Sequence, residues 1–145
     1  MVPIKKLTIE KISNRHSGEY DFFVSGKSLL QELKGLGRGG MVANLGSERD
    51  LVDTQMRELL LCEVAGTTAN GHIPLYVCPC RDLACGYISV KVTHSKGCFI
   101  WSNFAYHWTD FTQNEVSESV TQISELKASR FKEADYTAAL GHVSH

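Results

Sequence analysis

Two β-type runs, Gly86 to Val92 and Cys98 to Phe104, flank the turn His94-Ser-Lys-Gly97, and this hairpin constrains the fold more than any other stretch. If Val92 pairs with Phe99, then Val90 faces Trp101 and Ile88 faces Asn103. That register puts Ile88, Val90, Val92, Phe99 and Trp101 on one buried face. The other face carries Ser89, Lys91, Thr93, Cys98 and Ser102 and reads as solvated or as a partner surface. His72-Ile-Pro-Leu-Tyr-Val-Cys, entered through the turn signal Asn70-Gly71, adds a third strand, so this region is a three-stranded meander.

The N-terminal half adds a second β unit. Leu7-Thr-Ile-Glu-Lys-Ile alternates apolar and polar residues, as a half-buried strand does. After the turn-rich Asn14-Arg-His-Ser-Gly18, Glu19-Tyr-Asp-Phe-Phe-Val-Ser completes a hairpin. Ser28, with Gln31 three residues on, is a capping-box signature for a short helix from Leu29 to Lys34 that stops at Gly35. Gly26-Lys27-Ser28 resembles the end of a phosphate loop, but Asp21 stands where that loop needs its first glycine, so the reading is a turn and a cap. Gly35-Leu-Gly-Arg-Gly-Gly40 lacks dinucleotide-binding spacing and reads as a loop. Ser47 opens a second short helix reaching about Met56, and a strand is expected from about Leu59. Beyond Glu115 the tail is polar and mixed, and Phe131 to Leu140 suits a terminal helix stopped by Gly141. The expected fold class is α+β: one domain over residues 1–145, a mostly antiparallel sheet built from the N-terminal hairpin and C-terminal meander, with a few short helices.

Composition narrows the function classes. A chain of 145 residues with 43% hydrophobic and 21% charged residues can bury a core without staples. Fifteen basic against sixteen acidic residues, scattered to a net charge of −1, argue against an electrostatic grip on nucleic acid or an anionic membrane. No apolar region follows Lys5 and Lys6, and no run approaches the ~18 residues of a membrane-crossing helix. Five cysteines, an odd number, then read as reduced thiols in the cytoplasm.

Three of those cysteines, Cys78, Cys80 and Cys85, sit within eight residues between two β runs. Cys78 and Cys80, at i and i+2 in an extended segment, point to one face. Cys98 and His94 lie too far along the hairpin: eight residues at ~3.3 Å each separate Cys85 from the level of Cys98, about 26 Å. His107 falls opposite Ala84 and beside Cys85 if its strand runs on. Three thiolates and His107 would form a tetrahedral zinc site; the competing reading is three small buried residues in a tight connection. A C-x-C pair with strand flanks is a weak match to a redox dithiol. Tyr106, His107, Trp108, Asp110 and Phe111 make an aromatic and polar cluster of the kind that anchors protein interfaces. No complete catalytic set is present, which argues against an enzyme.

Leu75-Tyr-Val-Cys-Pro-Cys-Arg-Asp-Leu-Ala-Cys-Gly-Tyr-Ile-Ser-Val, then Ile100-Trp-Ser-Asn-Phe-Ala-Tyr, then Phe131, Tyr136 and Ala138-Ala139-Leu140 carry a resemblance. They resemble a family of small, largely uncharacterised bacterial proteins with a "YVCP-C-GDLGCG" block, a "W-S-D-F-G" block and an "A-A-L" helix. The chain departs at Arg81, where the family block has glycine, and in a first cysteine pair one residue closer. Some relatives are labelled oxidoreductases, and proteins of this kind occur beside bacterial toxins as cognate immunity proteins. The lack of a catalytic set, the balanced charge, the small size and the aromatic-polar rim, beside this resemblance, lead to the expectation of an immunity or antitoxin-type protein that neutralises a cognate toxin by direct binding, without a cofactor. Its expected contact residues are Tyr106, Trp108, Asp110, Glu115 and Glu118. The alternative is a zinc- or thiol-dependent protein centred on Cys78, Cys80 and Cys85, with His107 as the fourth ligand.

Overall fold

The computed structural model describes residues 2–11, 20–37, 42–43, 59, 72–77, 86–110 and 117–141. Strand β1 (Leu7–Lys11) pairs antiparallel with β2 (Tyr20–Val24), and β2 with the two-residue β3 (Lys27–Ser28), in a three-stranded sheet. Leu7 lies opposite Val24 and Ile9 opposite Phe22. Leu7, Ile9 and Phe22 are buried while Glu10 is exposed, so the alternation legible in the sequence is the inward and outward alternation of β1. Helix α1 (Leu29–Gly35) begins where the capping signature puts it: Ser28 Oγ accepts the Gln31 N–H at 3.1 Å. Leu29 and Leu33, one helical turn apart, bury its inner face.

The second sheet runs β4 (Val42–Ala43), β5 (His72–Val77), β6 (Tyr87–Ser95), β7 (Cys98–Asp110) and β8 (Ser117–Gln122), with β9 (Ser129–Lys132) also on β7. The meander expected from the sequence is its centre. β7 spans 13 residues, and two strands share its outer edge: β8 pairs with Ala105–Asp110 and β9 with Cys98–Trp101. The tail read as polar and mixed thus supplies two strands, because so long a β7 presents an edge that either strand alone would leave half unpaired.

The hairpin register differs from the expected one. Val92 pairs with Trp101 and His94 with Phe99, not Val92 with Phe99. Lys96 and Gly97 both have positive φ (51° and 74°), so a two-residue type I′ turn closes the hairpin on the pair Ser95–Cys98. Such a turn matches the strand twist, and glycine takes its second position without steric cost. The slip is even, so Val92, Phe99 and Trp101 keep the buried face assigned to them. A bulge then sets Asn103 and Phe104 against Val90, with Asn103 at φ 52°. The slip of two and the bulge of one together put Ile88 opposite Tyr106 rather than Asn103, and His107 opposite Tyr87 rather than Ala84. Ser89 is wholly buried, although its face of the sheet was expected to be solvated, and Cys98 is 9% exposed.

The apolar faces of both sheets meet in one core centred on Trp101. Phe22, Phe131 and Tyr136 lie edge-on to its ring at 5.6, 5.2 and 6.3 Å. Trp101 Nε1–H donates to Tyr136 Oη at 3.1 Å, and Tyr136 Oη–H donates to the Leu59 carbonyl at 2.8 Å. Leu59 is helical and fully buried, where a strand was expected; an apolar run that short carries no decisive periodicity. The terminal helix, α2, is Glu133–Gly141, while Phe131 belongs to β9, where pairing with Phe99 wins over helix propensity. The turn expected at Asn14–Gly18 and the helix expected over 47–56 lie outside the described residues.

A second polar contact joins the sheets. Asp21, 2% exposed, accepts from Tyr76 Oη at 2.6 Å, from its neighbour's N–H (Phe22) at 2.8 Å and from Ser28 Oγ. Burial, and then the nearby Asp21 carboxylate, pushes the Tyr76 phenol well above its ordinary range, so it stays a donor. Tyr76→Phe should lower stability by roughly 1.5–3 kcal/mol, since a charged acceptor loses a buried partner. Urea unfolding checks this, and a midpoint unchanged from the parent contradicts it.

Candidate functional site

Three adjacent strands place polar rings on the face of the large sheet opposite Trp101. His72 on β5 lies across from Lys91, Ser89 on β6 across from Pro74 and Ala105, and His107 on β7 across from Tyr87. His72 and His107 are therefore diagonal neighbours of Ser89, within side-chain reach. Pro74 and Ala105, directly opposite Ser89, have short side chains and leave room for both rings. The serine Oγ is 3.0 Å from His72 Nδ1 and 2.7 Å from His107 Nε2. The two imidazoles stand edge to face at 5.8 Å, and His107 stacks on Tyr87 at 4.3 Å with the planes 7° apart.

A hydroxyl has one proton to donate and two lone pairs, so Ser89 donates to at most one ring and at least one ring presents an N–H to it. The tautomers of His72 and His107 are thereby coupled through one oxygen. Protonating both rings would aim two N–H donors and two positive charges at that oxygen. Desolvation, then His107, then Lys91 hold the His72 pKa below its ordinary 6.5. Ser89 is 0% exposed and His107 6%, so a substrate carbonyl has no access to this hydroxyl. The arrangement couples two imidazoles through one buried hydroxyl and orients their rings.

The reverse face of β7 carries Tyr106 and Trp108, two residues apart, stacked at 5.3 Å with planes 18° apart and both partly exposed. Across from them on β8 stand Thr121 and Ser119. Asp110 pairs in register with Ser117, and Glu118 with Thr109, one position out of step with Trp108. Of the residues singled out in the sequence, Cys78, Cys80, Cys85, Phe111 and Glu115 lie outside the described residues. The two ends of the cysteine segment are placed, however: Val77 pairs with Tyr87, and Tyr87 with His107. Gly86, the residue after Cys85, has φ 146°, and a Cβ there would stand 3.2 Å from Tyr106 Oη. Glycine lets the chain enter β6 against that phenol. Among the described residues, no three histidine, cysteine or carboxylate side chains gather as a metal site.

His72 and Ser89 escaped the sequence reading. Both sit at ordinary strand positions, and only the register of three strands brings them to one oxygen. The parity of His72 and Ser89, each out of phase with the buried Ile73, Ile88 and Val90, was the available signal. No protein-family model matches the chain, and neither does any curated protein or solved structure.

The lowered His72 pKa has a defined sign. The folded state favours neutral His72, so this contribution to stability is full above the unfolded pKa of about 6.5 and is lost as the pH falls through the folded value. His72→Gln should show a smaller drop in urea midpoint between pH 7.5 and 5.5 than the parent, and Lys91→Gln an intermediate one. An equal drop in all three proteins contradicts the assignment.

Proposed function

We propose that this chain is a protein-binding immunity or antitoxin-type protein, which neutralises a cognate bacterial toxin by covering it. The observation that carries this reading is the stacked, partly exposed Tyr106–Trp108 pair on β7. Aromatic side chains held rigid on a strand supply interface area at low entropic cost, and tryptophan and tyrosine dominate binding hot spots. Serine and threonine across on β8 give the pair a polar border of the kind that surrounds such anchors. Asp110 and Glu118, on the same two strands, and Glu115 between them in sequence are the acidic contacts of this proposal. The inaccessible Ser89 hydroxyl supports binding over hydrolysis.

The test is to capture a partner from the native cell at micromolar concentration, co-express it with this chain if it is a toxin, and titrate the purified pair. The parent chain restores growth. Trp108→Ala weakens binding by about 30-fold, the ~2 kcal/mol of a hot-spot residue, with an unchanged circular dichroism spectrum. No protection by the parent chain, or equal binding by Trp108→Ala and Tyr106→Ala, would sink the proposal.

A second reading, a zinc- or thiol-dependent centre at Cys78, Cys80 and Cys85 with His107, has one observation in its favour. The strand ends that bound the cysteine segment pair at the level of His107. Its Nε2 is held by Ser89 Oγ, the outer partner that metal-ligating imidazoles use for orientation. Metal analysis of protein purified without chelator separates the readings. The metal reading requires stoichiometric zinc that the Cys80→Ser variant loses.

A further inference from the structure

Strand β8 ends the large sheet, and among the described residues no strand pairs with its outer edge. Just beyond its last residue, Ile123 N–H donates to the Phe104 carbonyl at 2.8 Å. In an antiparallel ladder that bond turns the backbone groups of Thr121, Ser119 and Ser117 toward β7, and those of Gln122, Val120 and Glu118 outward. Val120, at the middle of this edge, is 51% exposed, and Gln122 is exposed as well. Edge strands are usually guarded by proline, lysine or a bulge. The run Ser-Glu-Ser-Val-Thr-Gln has no proline or lysine, and it pairs with β7 in one unbroken register. The strand at the other end of the sheet, β4, has only two residues and offers no comparable edge.

The sequence of this edge complements itself. When two copies of β8 run antiparallel about a two-fold axis at Val120, valine meets valine, Ser119 meets Thr121 and Glu118 meets Gln122. An apolar pair, a hydroxyl pair and an acid against an amide are all favourable cross-strand neighbours. The three outward positions fall opposite one another, and each pair exchanges two main-chain hydrogen bonds. Neighbouring axes match less well. An axis at Glu118 sets acid on acid, one at Ser119 sets Glu118 against Val120, and one at Thr121 sets Gln122 against Val120. A net charge of −1 opposes the meeting of two copies only weakly.

We propose that the chain forms a two-fold dimer by antiparallel pairing of β8 with β8 of a second copy, in register about Val120. Such a contact uses the same edge on both copies, so it closes at two. The axis stands perpendicular to the sheet. The Tyr106–Trp108 stacks of both copies therefore lie on one face of a continuous sheet, beside Ser119 and Thr121. One pair of six-residue strands makes a small interface, which places the dimer among weak, transient associations with a Kd of about 100 µM. The proposal does not rest on the toxin reading.

The test is analytical ultracentrifugation of the full chain from about 10 µM to about 1 mM, a range that brackets the expected Kd. The weight-average mass should rise toward that of two chains. Val120→Lys brings two like charges to the axis, and Val120→Pro removes an N–H that bonds nothing within the chain. Each should keep the parent's circular dichroism spectrum and raise the Kd at least about tenfold. Gln122→Glu sets a second acid against Glu118 and should weaken the dimer about threefold. Adding Glu118→Lys should restore it, because the Val120 register opposes these two positions. Amide exchange read by NMR should slow with concentration at Val120 and Gln122, and stay unchanged at Ser119 and Thr121. A chain still monomeric at the top concentration, or a dimer indifferent to both Val120 variants, overturns the proposal. So does a failure of Glu118→Lys to rescue, or a mass that climbs past two chains.

Discussion

A buried carboxylate holds the architecture together. Asp21 projects from the small sheet and is solvated by three donors from separate places: the Phe22 amide beside it, the Ser28 hydroxyl ahead of α1, and the Tyr76 phenol of the large sheet. A carboxylate removed from water is costly without such partners. Ser28 links two roles, because the same oxygen that donates to Asp21 accepts the first-turn amide of α1. The angle between the sheets, the start of α1 and the seat of Phe22 against Trp101 therefore depend on one another. β1 pairs with β2 on the edge away from β3, so its place also follows from where Asp21 fixes β2.

The large sheet depends in turn on the length of β7 and on the bulge at Asn103. The bulge changes the register partway along the strand, so that Trp101 faces the core while His107, farther on, stacks on Tyr87. One strand thus serves three surroundings: the aromatic core, the imidazole pair on Ser89, in which His107 is buried and His72 half-buried, and the partly exposed Tyr106–Trp108 stack. Desolvation lowers the pKa of His72, and the stack is the surface proposed to meet a partner.

Much of this was legible from local chemistry. The alternation in Leu7 to Lys11, the Ser28 cap and the buried set Ile88, Val90, Val92, Phe99 and Trp101 follow from spacing alone, because each reflects a repeat of two residues or one capping bond. The register did not follow, since Lys96-Gly97 can close a two-residue turn or sit inside a longer one with the same composition. The coupled imidazole pair was missed for that reason: Ser89 looked like a solvated strand residue until three strands were aligned around it. Phe131 looked helical because the residues after it are, and only pairing with Phe99 makes it a strand residue.

By itself the sequence determined the class of fold, the positions of most strands, the start of α1 and the residues of the core, all consequences of short-range periodicity and backbone chemistry. It also marked Tyr106, Trp108 and His107 as residues of interest. The tertiary structure alone decided what they meet. Hydrogen bonds from Tyr76 to Asp21, from Trp101 to Tyr136 and from Tyr136 to Leu59 join residues far apart in the chain, and no local pattern encodes them.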